Sequence, residues 1–268
     1  MRLTGAILDW AGTIADHGSF APVAALCEAF ASAGVPITIA QARQSMGLAK
    51  RAHIASILDQ PEVSSRWAEL RGRTHESRDV DELYGGFVHK QIEVLKGNCD
   101  LIQGVPEAAA RMRARGWKIG TTTGYSRVML NYLMERAREH GFVPDYSVCP
   151  DDVPCGRPAP FMCYVNAVHM QVFPMWTLVK IGDTPVDIEE GLNAGMWTIG
   201  VSRTGNEVGV TASEWGSMDE RERRARLDRA DAALKGAGAH YVAGAIMECD
   251  EFFDQIEERL RSGERPTR

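Results

Sequence analysis

Two carboxylates sit where each would close a buried strand. Asp9 follows the apolar run Ala6-Ile7-Leu8 and precedes Trp10-Ala11-Gly12-Thr13, a tight turn. Asp183 follows Leu178-Val179-Lys180-Ile181-Gly182 and opens Thr184-Pro185-Val186-Asp187. If the two strands are parallel neighbours, both carboxylates converge at one end of a sheet. Oxygens gathered in such a crevice suit a hard cation, Mg²⁺ above all, that keeps some waters and bridges to a phosphate. Either Asp alone reads as a helix cap; the pair, with its flanking glycines, favours the metal.

Two more residues fit that chemistry. Thr123, closing Thr121-Thr122-Thr123-Gly124, offers a hydroxyl and a backbone N–H to phosphate oxygens, or is a plain helix cap. Arg157 precedes Pro158, whose fixed φ suits a first helical position. That expectation places Arg157 at a helix entrance facing the crevice, where it would neutralise phosphate charge. Taken alone it reads as a surface arginine.

The elements that must position these residues show in the hydrophobic pattern. Short apolar runs at 6–10, 117–122, 146–149, 178–181 and 197–201 read as buried parallel strands. Helical patterns at 106–115, 127–140, 158–172 and 186–194 lie between them, with Gly116, Gly141 and Gly195 as stop signals. Such alternation implies a doubly wound α/β sheet, whose ligands bind beyond the carboxyl ends of its strands. From about residue 20 to 98 the alternation lapses into helical patterns alone, at 22–32, 49–58, 63–71 and 80–95. Thr38 with Gln41 three residues later gives a capping-box signature within that stretch. It reads as an all-helical insertion after the first strand, with 97–104 as the return linker. The charged stretch 219–229 reads as the solvated face of a helix.

Composition narrows the function classes. The chain has 268 residues, 44% hydrophobic and 25% charged, with a formal net charge of −6. Its length lets it bury about three quarters of its unfolded surface, so no disulfide or structural metal is needed. The acidic balance argues against nucleic acid held on a general basic surface. No apolar run nears the roughly 20 residues that span a bilayer, so no membrane partner is expected. The N-terminus lacks the apolar core of an export signal. The six cysteines (Cys27, Cys99, Cys149, Cys155, Cys163, Cys249) form no CxxC pair or zinc spacing and read as reduced thiols. The expected location is the cytoplasm.

The order Asp9, Thr123, Arg157, Asp183, with a helical insertion after the first strand, resembles the haloacid dehalogenase superfamily with a C1-type cap. The resemblance covers essentially the whole chain. It implies an α/β core at 1–18 and 100–268, an inserted all-helical cap at 19–99, and an aspartyl-phosphate mechanism at Asp9 with Mg²⁺. Phosphatases of this kind carry a second Asp two positions after the nucleophile, acting as acid and base. Here that position is Ala11, so hydrolysis of an ordinary phosphate ester loses its acid.

Lys50 offers another way to activate a leaving group. It lies in Met46-Gly47-Leu48-Ala49-Lys50-Arg51-Ala52-His53, near a helix start. A partly desolvated Lys at a helix N-terminus has a lowered pKa and can form a Schiff base, whose iminium accepts the electrons of a breaking P–C bond. Alone, a cap lysine reads as a solvated surface residue. His53, three residues on, either reaches the amine or simply packs.

Several stretches resemble the phosphonoacetaldehyde hydrolase (phosphonatase) family of that superfamily. They are residues 9–13, 20–22, 46–48 with Lys50 and His53, 122–125, 150–154, 156–158, 180–184 and 193–197. Residue by residue, the resemblance implies Asp9 as nucleophile and Lys50 as Schiff-base amine, with Asp9, Asp183 and the Ala11 backbone as Mg²⁺ ligands. It places Thr123, Arg157 and Gly124 on the phosphonate, and Met46, His53 and Tyr125 around the lysine and the water. Asp187 and Thr13 are supporting residues. It also implies a small-molecule phosphonate as substrate and a homodimer. The rival readings are a phosphatase or phosphomutase acting on a small phosphorylated metabolite, which needs the acid missing at Ala11, and a catalytically dead binding protein, which would have lost its strand-end residues.

Overall fold

A computed structural model describes residues 2–267. Six parallel strands form one sheet in the order β3-β2-β1-β4-β5-β6: β1 (Gly5–Leu8), β2 (Lys118–Thr122), β3 (Tyr146–Val148), β4 (Leu178–Gly182), β5 (Trp197–Val201) and β6 (Tyr241–Ala243). The order reverses at β1, whose neighbours are β2 and β4, and a sheet of this kind binds its ligands at that switch point. Leu8 is in register with both Thr121 and Ile181, so Asp9, Thr123 and Asp183 all emerge at one edge. β1, β4 and β5 are buried along their whole length, as expected for strands covered on both faces.

Five helices fill the interval between β1 and β2: α1 (Phe20–Ser32), α2 (Ile39–Arg43), α3 (Lys50–Leu58), α4 (Pro61–Arg71) and α5 (Ser77–Lys96). The capping box read from Thr38 and Gln41 opens α2, with both reciprocal hydrogen bonds present. In α5 the buried residues Val80, Leu83, Phe87, Gln91 and Leu95 line one face at helical spacing. Burying an apolar side chain of this size contributes about 1.5–3 kcal/mol, which holds the helices together as a packed body. The two linkers to the sheet are themselves paired, through Asp16 N–H to the Asp100 carbonyl (3.1 Å) and Ile102 N–H to the Ile14 carbonyl (2.9 Å).

The remaining helices are α6 (Val105–Ala114), α7 (Arg127–Glu139), α8 (Phe161–Met170), α9 (Pro185–Asn193), α10 (Ala212–Ser217), α11 (Glu220–Gly236) and α12 (Asp250–Arg261). Among the described residues, no helix is long and apolar enough to cross a membrane. Two readings of the sequence need correction. Strand β6 was not anticipated: it has three residues and is only partly buried, which leaves a weak pattern. Pro158 does not open α8, which begins at Phe161, so Arg157 comes from the loop ahead of the helix rather than from its entrance.

Candidate active site

The carboxyl ends of β1, β2 and β4 meet the loop before α3 around a narrow cleft of about 20 Å³. Asp9, Ala11, Met46, Lys50, Thr123, Gly124, Tyr125, Arg157 and Asp183 all line it. Nine residues expected from widely separated stretches are thus brought together. The close approach depends on glycines. A Cβ on Gly12, whose φ is +77°, would fall 2.1 Å from an Asp183 oxygen, and one on Gly124 would fall 2.4 Å from the Leu48 carbonyl.

Asp9 leaves β1 with its N–H bonded to the Ile181 carbonyl at 2.9 Å. Its Oδ1 accepts from Arg157 Nη2 at 2.6 Å. Burial raises the Asp9 pKa, and the Arg157 charge opposes the rise. Asp183 Oδ2 accepts from the Asn206 N–H (2.7 Å) and Ser19 Oγ (3.1 Å), while its buried Oδ1 has no partner among the described residues. Burial pushes the Asp183 carboxyl well up, and the charges of Asp9 and Asp187 add to the rise.

One oxygen each from Asp9, Asp183 and Asp187 lie within 4.8 Å of one another, all buried. Hard oxygen donors at this spacing, one of them unpartnered, fit a divalent cation whose charge would keep them ionised. Asp187 has less to offer a metal. Its Oδ1 faces Arg157 Nη1 (2.9 Å) and Lys180 Nζ (2.8 Å), and its Oδ2 accepts from Thr184 Oγ1 (2.6 Å) in the capping box of α9. Burial alone would raise its pKa, but the two cations hold it below the usual range.

Lys50 is the first residue of α3 and only 6% exposed. Its Nζ reaches Met46 Sδ at 3.8 Å and lies over the Tyr125 ring, 5.3 Å from the centroid. It makes no ion pair among the described residues, and burial lowers its pKa to about 8. Thr123 Oγ1 accepts from the Tyr125 N–H at 3.1 Å.

Three expected residues lie outside the lining of the cleft: Asp187, His53 and Thr13. His53 is fully buried, with Nε2 at 2.7 Å from the Gln44 carbonyl. Burial and the nearby Lys50 charge lower its pKa to about 3, so it is neutral and braces the loop that carries Met46. Thr13 is buried with its hydroxyl unpartnered among the described residues. Sequence reasoning missed Ser19, Thr122, Lys180 and Glu190. The available signal was a charged residue in each of two apolar patterns, Lys180 inside β4 and Glu190 one helical turn after Asp187.

A strand-end aspartate at the switch point, backed by a buried arginine and facing a second acidic strand end, defines the class: a hydrolase of the haloacid dehalogenase type. The family described as haloacid dehalogenase-like hydrolase matches residues 3–195. A phosphonoacetaldehyde hydrolase from Syntrophobacter fumaroxidans is 45% identical over 97% of this chain and 94% of that protein. One from Bacillus cereus is 39% identical over 97% of this chain and 98% of that protein. A crystal structure of a phosphonoacetaldehyde hydrolase-like protein from Oleispira antarctica superposes with a TM-score of 0.97 at 36% identity, covering 99% and 96% of the two chains. The chain belongs to the phosphonoacetaldehyde hydrolase family within the haloacid dehalogenase-like hydrolases.

Proposed function

We propose that this protein hydrolyses the P–C bond of phosphonoacetaldehyde, yielding acetaldehyde and phosphate, with residues 19–99 serving as the cap over a core of 1–18 and 100–268. The observation that carries the reading is Lys50: a buried amine with its pKa lowered to about 8 and no carboxylate partner among the described residues, in the same cleft as Asp9. A salt-bridged lysine would be held charged, whereas this one has a neutral fraction at working pH.

The chain's residues account for each bond. The neutral Lys50 amine adds to the aldehyde carbon, and water leaves to give an iminium one carbon removed from the C–P bond. The Asp9 carboxylate attacks phosphorus, and the P–C electron pair moves into the iminium to form an enamine on Lys50. No acid is required at position 11, which is why alanine suffices there. The enamine takes a proton on carbon, and water releases acetaldehyde and restores the amine. A second water hydrolyses the aspartyl phosphate, freeing phosphate and Asp9. Thr123, Gly124 and Arg157 are the groups we assign to the phosphonate oxygens, and Tyr125 and Met46 shield the lysine from bulk water.

The residues that would hold Mg²⁺ are Asp9, Asp183 and the Ala11 backbone carbonyl, with Asp187 in support. When bound, the ion screens the repulsion between the phosphonate and the attacking carboxylate. The test is product analysis with phosphonoacetaldehyde and, separately, small phosphate monoesters. Equimolar acetaldehyde and phosphate from the phosphonate, with at most trace release from esters, is expected. Preferential ester hydrolysis would return the protein to the phosphatase reading.

A further inference from the structure

Behind Asp9 lies a buried ion cluster in which Glu190 and Lys180 take no part in the reaction steps. Glu190, on α9, has no exposed side-chain surface, and its Oε2 collects three contacts. These are Arg157 Nε (3.0 Å), Lys180 Nζ (3.1 Å) and the Thr122 hydroxyl (2.9 Å). Arg157 Nη2 donates both to Asp9 Oδ1 (2.6 Å) and to Thr122 Oγ1 (2.7 Å), and Lys180 Nζ donates to the same Thr122 oxygen at 2.8 Å. One guanidinium is therefore held on one side by Glu190 and on the other by the nucleophile.

We propose that Glu190, which touches neither the cleft nor Asp9, is a positioning residue for phosphoryl transfer: by offsetting one of the two buried cations, Arg157 and Lys180, it sets how strongly Arg157 pairs with Asp9 and the negative charge offered to the metal. The inference rests on the reading of Asp9 as nucleophile.

The charge arrangement supports this. Asp9, Asp187 and Glu190 face Arg157 and Lys180, three carboxylates against two cations in a fully buried cluster. Removing the Glu190 charge leaves Arg157 and Lys180 to be satisfied by Asp9 and Asp187 alone. Both cations then pull harder on those carboxylates, so the nucleophile is more strongly paired and the acidic cluster attracts a cation less. Buried charges are poorly screened, so the effect reaches across one hydrogen-bonded group. A purely structural role predicts otherwise, because an isosteric amide fills the same space.

The experiment compares Glu190→Gln, Lys180→Met and the double variant, measuring kcat and KM with phosphonoacetaldehyde and, by calorimetry without substrate, the dissociation constant for Mg²⁺. Glu190→Gln should lower kcat by about 30-fold or more, the order expected for losing one charge-assisted hydrogen bond, with KM within about threefold. It should also weaken Mg²⁺ binding. The double variant restores two carboxylates against one cation, the original net charge, and should recover at least tenfold of the lost kcat together with the Mg²⁺ affinity. Retention of kcat within threefold in Glu190→Gln, or no recovery in the double variant, would overturn the proposal. Should Glu190→Gln fail to fold, the double variant is judged against the wild type: kcat within about tenfold supports the proposal, and a larger loss with a folded protein overturns it. An inactive wild-type enzyme would instead count against the proposed function, and the Mg²⁺ measurement would still decide the role of Glu190.

Discussion

The Nζ of Lys50 stands over the ring of Tyr125, 5.3 Å from its centroid. One residue comes from the helical insertion and the other from the loop after β2, so both parts of the chain build the lysine's surroundings. Met46 Sδ, from the loop before α3, completes the surround. An aromatic face and a thioether favour the cation weakly, far less than a carboxylate would, so burial prevails and the amine loses its proton readily.

That balance sets a pH dependence. An ordinary lysine amine has a pKa near 10.4, whereas Lys50 is lowered to about 8. Only the neutral amine adds to an aldehyde, so imine formation rises with pH and levels off above about 8. Initial rates of cyanoborohydride trapping on Lys50 should increase about tenfold per pH unit well below that value. A limb centred near the ordinary lysine value would show that the site does not desolvate the amine.

The close approach of the insertion to the sheet can be tested at Gly124, where a side chain would strike the Leu48 carbonyl. Gly124→Ala should displace the loop carrying Met46 and lower kcat/KM by at least about tenfold while the protein stays folded. Gly85→Ala is the control. It lies inside α5, where an added Cβ meets nothing within 4 Å, so it should leave turnover unchanged and stabilise the protein by about 0.5–1 kcal/mol. Equal activity of the two variants would show that the close approach at Gly124 is immaterial.

The metal reading places most weight on Asp183. Asp183→Asn keeps the shape and the contacts with Ser19 and Asn206 but removes a charge. Calorimetry should show Mg²⁺ affinity lowered by at least about tenfold, and turnover should require correspondingly more Mg²⁺. Full turnover by the wild type in exhaustive chelator would remove the metal from the account.

Asp9, Thr123 and Asp183 were legible in the sequence because each ends an apolar run, and the strand-then-helix pattern aligns such ends at one edge of a sheet. The helical insertion was legible for the same reason, since period-3.6 patterning replaces the short apolar runs between residues 20 and 98. Lys50 and Ala11 gained meaning only from resemblance, because neither a cap lysine nor a turn alanine carries a local signal. Glu190 and Lys180 were passed over because partnership between buried charges depends on which elements become neighbours. Arg157 was identified, but its surroundings were not: the expectation of a helix entrance came from Pro158, whereas α8 begins three residues later.

Asp9 should be indispensable on separate grounds. Asp9→Ala removes the proposed nucleophile and one of the proposed metal ligands together, and kcat should fall by at least about 10⁴-fold while thermal unfolding shows a folded protein. Activity within tenfold of wild type would place the nucleophile elsewhere.

The central claim is a covalent lysine. Wild-type protein mixed with phosphonoacetaldehyde and borohydride, digested and examined by mass spectrometry, should carry a reduced two-carbon adduct on Lys50 and lose activity irreversibly. Lys50→Arg keeps the charge but cannot form the imine, so it should be unlabelled and slower by several orders of magnitude. An adduct on a different lysine, or turnover by Lys50→Arg within about tenfold of wild type, would contradict the account.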